Sequence, residues 1–459
     1  MKRSIKQYRR YSQRLFAFAM ILATAIQLSS CKKYLDAKPD QTLSTPSTID
    51  DLEGILNNYN FLNAKFPAAG DVASDNYYLN TADLNSLTVQ RQRMFYIWQK
   101  DNDIGTDYSS PYMAIEYANI LLDALPNVSG GDVNTRNNIR GNALFLRGAL
   151  HLSLAQLFAK PYVQASAGTD LGIALRLTSD ITIKPVRSTV AATYNSILTD
   201  LQQSIPLLPA NPTMKYQASK PAAYGMLAKA YLSMNDYVNA GLYADSALTL
   251  YNKLIDYNTV STSATLPFAE FNDEVIYDAR SAQPQALTAA KARVDSTLYA
   301  SYSANDLRKI IFFKSNATGT FFKPNYCGVN QNAIFTGIAT DELYLIQAET
   351  QARAGNTSGA SSTLNSLITK RYKAGTYIPY AITDNHQLLI VILQERRKEL
   401  LLRGTRWTDL RRLNQDPQFA ITLYRNVNGT SYQLLPGSDR YVFEIDQNAV
   451  NISGLIQNP

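Results

Sequence analysis

Two histidines, two cysteines and two tryptophans in 459 residues leave little for metal or covalent chemistry to use. His151 and His386 stand alone, with no cysteine or second histidine at zinc-ligand spacing. His151 falls within the helical pattern Leu144-Phe145-Leu146…Leu150…Leu154, which reads as a packed helix position rather than part of a Ser–His–Asp triad. Charged residues are sparse, at 18%. The apolar run from Leu15 to Leu28 is 14 residues long, short of the roughly 20 that a membrane span needs. The basic excess is thin too. The chain has 44 basic and 37 acidic residues, but Lys2, Arg3, Lys6, Arg9, Arg10 and Arg14 all precede Cys31, and no acid does. Beyond that leader the balance is 38 to 37, without the concentrated basic face that DNA or RNA binding requires.

A basic leader, a short apolar run and Leu28-Ser29-Ser30, with its two small residues, before Cys31 form a secretory signal of the lipoprotein kind. Residues 1–30 are expected to be removed and Cys31 to be acylated. The mature protein is then a lipid-anchored domain outside the cytoplasm, spanning 31–459. With Cys31 taken by lipid, Cys327 has no second cysteine for a disulfide, so stability must come from core burial.

Tyrosine is abundant: 30, against 16 Phe and 2 Trp. Its apolar face and polar tip suit half-wet surfaces and ligand platforms, though most of these rings are expected between helices. Ser110-Pro111 reads as a helix start, followed at helical spacing by Ile115, Ala118, Leu121, Leu122 and Leu125 until Pro126. A second helix is expected over 138–158. Thr189 caps a third, which ends at Pro206.

Two later segments share offsets 120 positions apart. Tyr224, Leu227, Ala228 and Tyr231 precede Asn235-Asp236 and then Ala240, Ala244 and Ala247. Tyr344, Ala348 and Gln351 precede Gly355-Asn356 and then Ala360, Leu364 and Leu367. Each resembles a tetratricopeptide helix-turn-helix unit. Gln347 and Gln351 replace apolar positions in the second. Tandem units recur every ~34 residues, so an insertion separates these two. Residues 252–338 and 60–108 are loop-rich, with a strand-like Phe271–Tyr277. Long loops in a compact domain are commonly functional, which makes these two regions the expected ligand site.

Leu388–Leu402 is a strong helix with a charged centre, Glu395-Arg396-Arg397-Lys398-Glu399. Glu399 and Arg403 stand at ion-pair spacing, and Gly404 is placed to close the helix. This block, with Arg406-Trp407 and Asp409-Leu410-Arg411-Arg412, resembles the C-terminal hallmark of the SusD/RagB family of Bacteroidetes outer-membrane lipoproteins. Cys31-Lys32-Lys33-Tyr34-Leu35-Asp36, Tyr117–Leu122, Ala143–Arg147, Tyr302…Asp306-Leu307-Arg308 and Glu342–Glu349 are similar to the family's other blocks in the expected order.

The resemblance implies a mainly α-helical SusD-like fold with tetratricopeptide-like hairpins and a loop-rich, minor-β insertion. One mature domain is expected, divided into 31–250, 251–338 and 339–459. The resemblance also implies a binding protein rather than an enzyme: an outer-membrane lid, facing outward, on a SusC-like TonB-dependent transporter, capturing oligosaccharides or sometimes peptides. Aromatic faces stack on sugar rings while polar neighbours bond hydroxyls. On that basis Tyr77, Tyr78, Tyr96, Trp98, Asp101, Asn102, Tyr299 and Tyr302 are the expected ligand residues; a buried role for Trp98 competes with this. Trp407 and Glu395–Arg397 are assigned to structure.

A helical glycoside hydrolase using paired acids among Asp71, Asp75, Asp101 and Asp103 is a weaker alternative. So is a tetratricopeptide scaffold for outer-membrane protein assembly. No cofactor is expected; Asp101-Asn102-Asp103 could contribute to a structural calcium site, though it lacks the twelve-residue loop pattern that would make this specific.

Overall fold

The computed structural model describes residues 46–101, 103–323, 326–329 and 332–459, so Cys31 and Asn102 lie outside the described residues. Within Ser47–Pro459 the frame is made of nine helices: α1 (Thr106–Ala124), α2 (Val133–Phe158), α3 (Val190–Ser204), α4 (Lys220–Ser233), α5 (Tyr237–Leu250), α6 (Thr340–Arg353), α7 (Thr357–Ile368), α8 (Asn385–Glu399) and α9 (Arg406–Leu413). Ile49–Leu56, further short helices and two- to five-residue strands fill the intervals. The fold is mainly α-helical.

Caps set the helix starts. Thr189 accepts from the Ala192 N–H at α3, and Pro206 follows that helix within a 3-10 turn, as the pattern implied. Two other starts lie upstream of expectation. α2 begins at Val133 because Asp132 accepts from the Thr135 N–H, ahead of any apolar periodicity. α1 begins at Thr106, which leaves Pro111 inside the helix. Proline there removes one N–H bond. The added turn is held by the Asp107 carboxylate, which accepts from the Ala68 and Ala69 N–H groups at 2.7 and 3.0 Å.

The two tetratricopeptide-like hairpins are α4–α5 and α6–α7. Both turns use a left-handed residue, Asn235 (φ +59) and Gly355 (φ +78). Both then start the next helix with a side-chain cap, from Asp236 and Asn356. Ala228, Ala240, Ala244 and Ala247 are buried in the first hairpin, as are Ala348, Ala360, Leu364 and Leu367 in the second. α5 packs on α6, so the hairpins stack although residues 251–339 separate them in sequence. A Cβ at Gly241 would lie 2.7 Å from Thr350 Oγ1, a measure of how closely the helices approach. The two glutamines that weakened the second pattern have partners. Gln347 donates to Asp245 of α5 at 3.0 Å, and Gln351 accepts from Thr363 of α7 at 2.9 Å.

α8 departs from expectation at its end. The helix stops at Glu399, and a turn with Leu402 at φ +51 and Gly404 at φ +70 leads into α9, so Gly404 shapes the turn rather than capping the helix. Glu399 and Arg403 consequently do not pair. Glu399 instead accepts from Arg308 at 2.9 Å and Arg371 at 2.8 Å, while Arg403 pairs with Asp341. The charged centre of α8 is mostly interior. Arg308 also bonds Asp306 and Glu395, Lys398 bonds Glu395, and Arg396 joins Glu342 to Asp409. Burial alone would push the Glu395 carboxyl up, yet Arg308 and Lys398 beside it hold it below its ordinary range.

Candidate functional site

The two loop-rich regions meet in one sheet. Tyr77–Tyr78 pairs antiparallel with Arg293–Val294, which pairs with Gly319–Phe322, which pairs in turn with Phe313–Asn316. Arg397 of α8 tightens this junction by donating to the Asn76 side chain and the Asp75 carbonyl, with Asp295 Oδ1 at 3.8 Å.

Side-chain alternation divides the sheet into two faces. Tyr77, Val294, Phe322 and Phe313 are buried on the inner one. On the outer one the register runs Tyr78, Arg293, Phe321, Lys314. Tyr78 is 45% exposed there. The Arg293 guanidinium lies 5.3 Å from the Phe321 ring centre and pairs with Asp83. Phe321 is buried beneath that guanidinium, whose Nε and Nη1 already donate to Thr318, Asp83 and Lys291, so Tyr78 offers the stacking face and the exposed Lys314 ammonium a hydrogen-bond donor.

The seven expected ligand residues that are described are not gathered at one surface. Tyr77, Tyr96 and Trp98 instead surround the buried Arg425 guanidinium, with ring centres 5.3, 3.6 and 4.9 Å away. Each ring is also tied to backbone. Tyr77 donates to the Val72 carbonyl and Trp98 to the Ala73 carbonyl, while the Tyr96 hydroxyl accepts from the Leu79 N–H. Trp98 is 5% exposed and sits at φ +55, a conformation its buried contacts must offset. These three rings form an aromatic cage that binds the N-terminal loop to the strand Leu423–Val427, over 300 residues away.

Tyr302 is 1% exposed and donates to the Lys398 carbonyl at 2.7 Å, anchoring the insertion to α8. Tyr299 is half-buried. It packs edge-on against Phe313, with the Lys309 ammonium 4.9 Å from its ring centre. Asp101 is half-buried; its Oδ1 accepts from the Asp103 N–H. Of the eight, then, Tyr78 alone among the described residues presents a largely open ring, while Tyr77, Tyr96, Trp98 and Tyr302 are packed inside. Sequence reasoning missed Arg293, Phe321 and Lys314, whose short strands carry too few residues for alternation to stand out. It missed Arg425 because nothing local marks a partner so distant in the chain.

The acids of the hydrolase reading are placed differently from one another. Asp75 is bonded by Arg406 at 2.6 and 2.8 Å; burial pushes its carboxyl up, but Arg406 and Arg397 prevail and hold it well below the usual range. Asp71 is buried, and burial pushes it up to about 7 against the Gly404 N–H that it accepts. Asp103 is exposed. His151 is fully buried, and burial followed by Arg147 pushes it down to about 3, which leaves it a neutral packed residue. Among the described residues no group of three or more His, Cys, Asp or Glu side chains is arranged to hold a metal ion. Among the same residues no helix is long and apolar enough to cross a membrane.

Stacked helical hairpins supporting a loop-and-sheet insertion define a helical scaffold. Two family models match the chain: one described as starch-binding, associating with outer membrane, over residues 33–232, and one described as SusD family, over 338–454. The chain belongs to the SusD/RagB family.

Solved structures agree on the fold. A SusD superfamily protein from Bacteroides thetaiotaomicron VPI-5482 is 20% identical with TM-score 0.73, over 90% of this chain and 100% of that one. A putative sugar binding protein from Bacteroides vulgatus ATCC 8482 is 21% identical with TM-score 0.72, over 91% and 99%. Surface glycan-binding protein A from Bacteroides uniformis is 16% identical with TM-score 0.70, over 90% and 99%. No curated protein matches the chain.

Proposed function

We propose that this protein captures an oligosaccharide at the outer membrane and passes it to a SusC-like TonB-dependent transporter, without chemical change to the ligand. In this reading the chain is cleaved before Cys31, anchored there by lipid, and faces the outside as one mature domain without a cofactor. The observation that carries the reading is the outer row of the sheet. Tyr78 offers a ring face, the exposed Lys314 offers donors to hydroxyls, Arg293 braces the row through Asp83, and the short strands are held rigid by Arg397 and the Arg425 cage. Membership in a family with a starch-binding model supports the ligand class. So do structural relatives named for sugar and glycan binding. Tyr299, packed on the inner-face Phe313, and Asp101 are half-open on other segments and supply secondary contacts in this reading.

The test uses the chain from residue 31 with Cys31 replaced, passed through gels containing soluble polysaccharides and titrated calorimetrically with oligosaccharides and peptides. Saturable binding without product release, weakened at least about tenfold by Tyr78→Ala while the melting temperature stays within about 1 °C, is the expected result. Release of shorter products would overturn the binding-only reading. Binding of peptides alone would overturn the oligosaccharide assignment.

A further inference from the structure

A cleft lies beside Trp407 among α2, α4 and α9, well inside the helical frame and away from the outer sheet row. Its volume for water centres is ≈ 100 Å³. That is several times the about 10–15 Å³ that a single water needs, enough to admit a small polyhydroxyl molecule on the scale of one sugar ring. One wall is apolar, with Phe66, Leu152, Leu157, Met226 and Leu232.

The polar wall carries atoms that the protein leaves unused. Trp407 Nε1, Arg396 Nη1, Arg403 Nε and Thr336 Oγ1 have no hydrogen-bond partner among the described residues, and all four belong to residues lining the cleft. Trp407, Arg396 and Arg403 are 1, 4 and 3% exposed, so bulk water does not serve these donors. Beside them Asp71 accepts one backbone N–H, from Gly404 at 3.0 Å, and has no ion-pair partner among the described residues. A buried donor without an acceptor is costly, so four on one cleft call for an occupant.

The charges narrow its chemistry. Asp71, Glu342 and Asp409 line the cleft together with Lys229, Arg396 and Arg403; Glu342 pairs with Lys229 and Arg396, and Asp409 with Arg396, so these charges largely neutralise one another. An anion would meet three carboxylates and a cation three cationic groups. A neutral molecule bearing hydroxyls can accept from the N–H groups, donate to Asp71 and lay its C–H face on the apolar wall.

We propose that this cleft is a second ligand site, taking one neutral polyhydroxyl unit the size of a single sugar ring. It does not rest on the sheet-surface reading, and the two separate experimentally, because Tyr78→Ala leaves the cleft untouched. The probe is D-glucose, followed by titration calorimetry and by Trp407 emission in a Trp98→Phe background, where Trp407 is the sole indole. A saturable signal with Kd on the order of 1–10 mM is expected for so small a ligand. Ser153→Phe, which fills the cleft from α2, and Thr408→Leu at its rim should each weaken binding at least about tenfold. Two readouts serve because either variant alone could disturb folding; melting curves identify the one that remains folded. A response that stays linear to about 100 mM, or an affinity unchanged in a folded Ser153→Phe protein, would overturn the proposal and assign the donors to ordered water.

Discussion

Asp71 gives the sharpest test of the structure, because its burial has a thermodynamic consequence with a definite sign. The carboxyl has an ordinary value of 3.8 and is pushed up to about 7 in the fold, first by desolvation, with the Gly404 N–H only partly opposing. Below pH 3.8 the group is protonated folded and unfolded, and folding costs nothing on its account. Between 3.8 and about 7 the unfolded chain releases the proton while the folded chain keeps it, so stability falls as pH rises. Above about 7 the loss is complete. At about 1.36 kcal/mol per pH unit, three units make a ceiling of roughly 4 kcal/mol. Asp71→Asn keeps an oxygen for the Gly404 N–H and removes the titration. The variant should therefore be the more stable protein, and its advantage should widen by about 2.7 kcal/mol between pH 5 and pH 8. With an unfolding entropy near 2.1 cal/mol/K per residue over roughly 400 residues, that is about 3 °C in Tm. Paired thermal melts at the two pH values measure it. An advantage that does not grow with pH, or a variant less stable than its parent at pH 8, would refute the placement of Asp71 as a buried carboxyl without a counter-ion.

Three further substitutions probe the rest of the frame. Glu399→Gln leaves Arg308 and Arg371 without their shared carboxylate at 0% exposure, and should cost about 3–5 kcal/mol by chemical denaturation; a loss under about 1 kcal/mol would show the network to be dispensable. Arg425→Ala empties the aromatic cage and should cost about 3 kcal/mol while exposing Trp98, read as a red shift and faster acrylamide quenching; unchanged emission would contradict the cage. Gly241→Val drives a side chain into Thr350 where α5 meets α6, and should cost about 1–3 kcal/mol; a neutral result would mean that the hairpins stack less closely than described.

The parts of the fold that were readable from residues are those governed by local rules. Helical periodicity with Thr189 and Pro206 marked α3, and matching offsets with turn residues at Asn235 and Gly355 marked both hairpins. Boundaries that depended on distant partners were misplaced. α1 gains a turn because Asp107 serves the Ala68 and Ala69 amides. α8 ends early because Glu399 faces Arg308 and Arg371 rather than Arg403. The site followed the same division. The two loop regions share a sheet, but an aromatic residue in a loop looks alike in sequence whether it faces water or a buried guanidinium. Tyr77, Tyr96 and Trp98 face Arg425, and only their exposure and ring distances tell them apart from Tyr78.

The amino-acid sequence by itself determined the helical frame, the repeated hairpins and the family, because periodicity, capping and motif spacing act over a few turns of chain. The tertiary structure alone decided which aromatic rings are open and which carboxyls find counter-ions. It also decided where donors such as Trp407 Nε1 are left over beside a cleft. Each of those outcomes depends on contacts between residues tens to hundreds of positions apart, and on the loss of water between them, which no local pattern records.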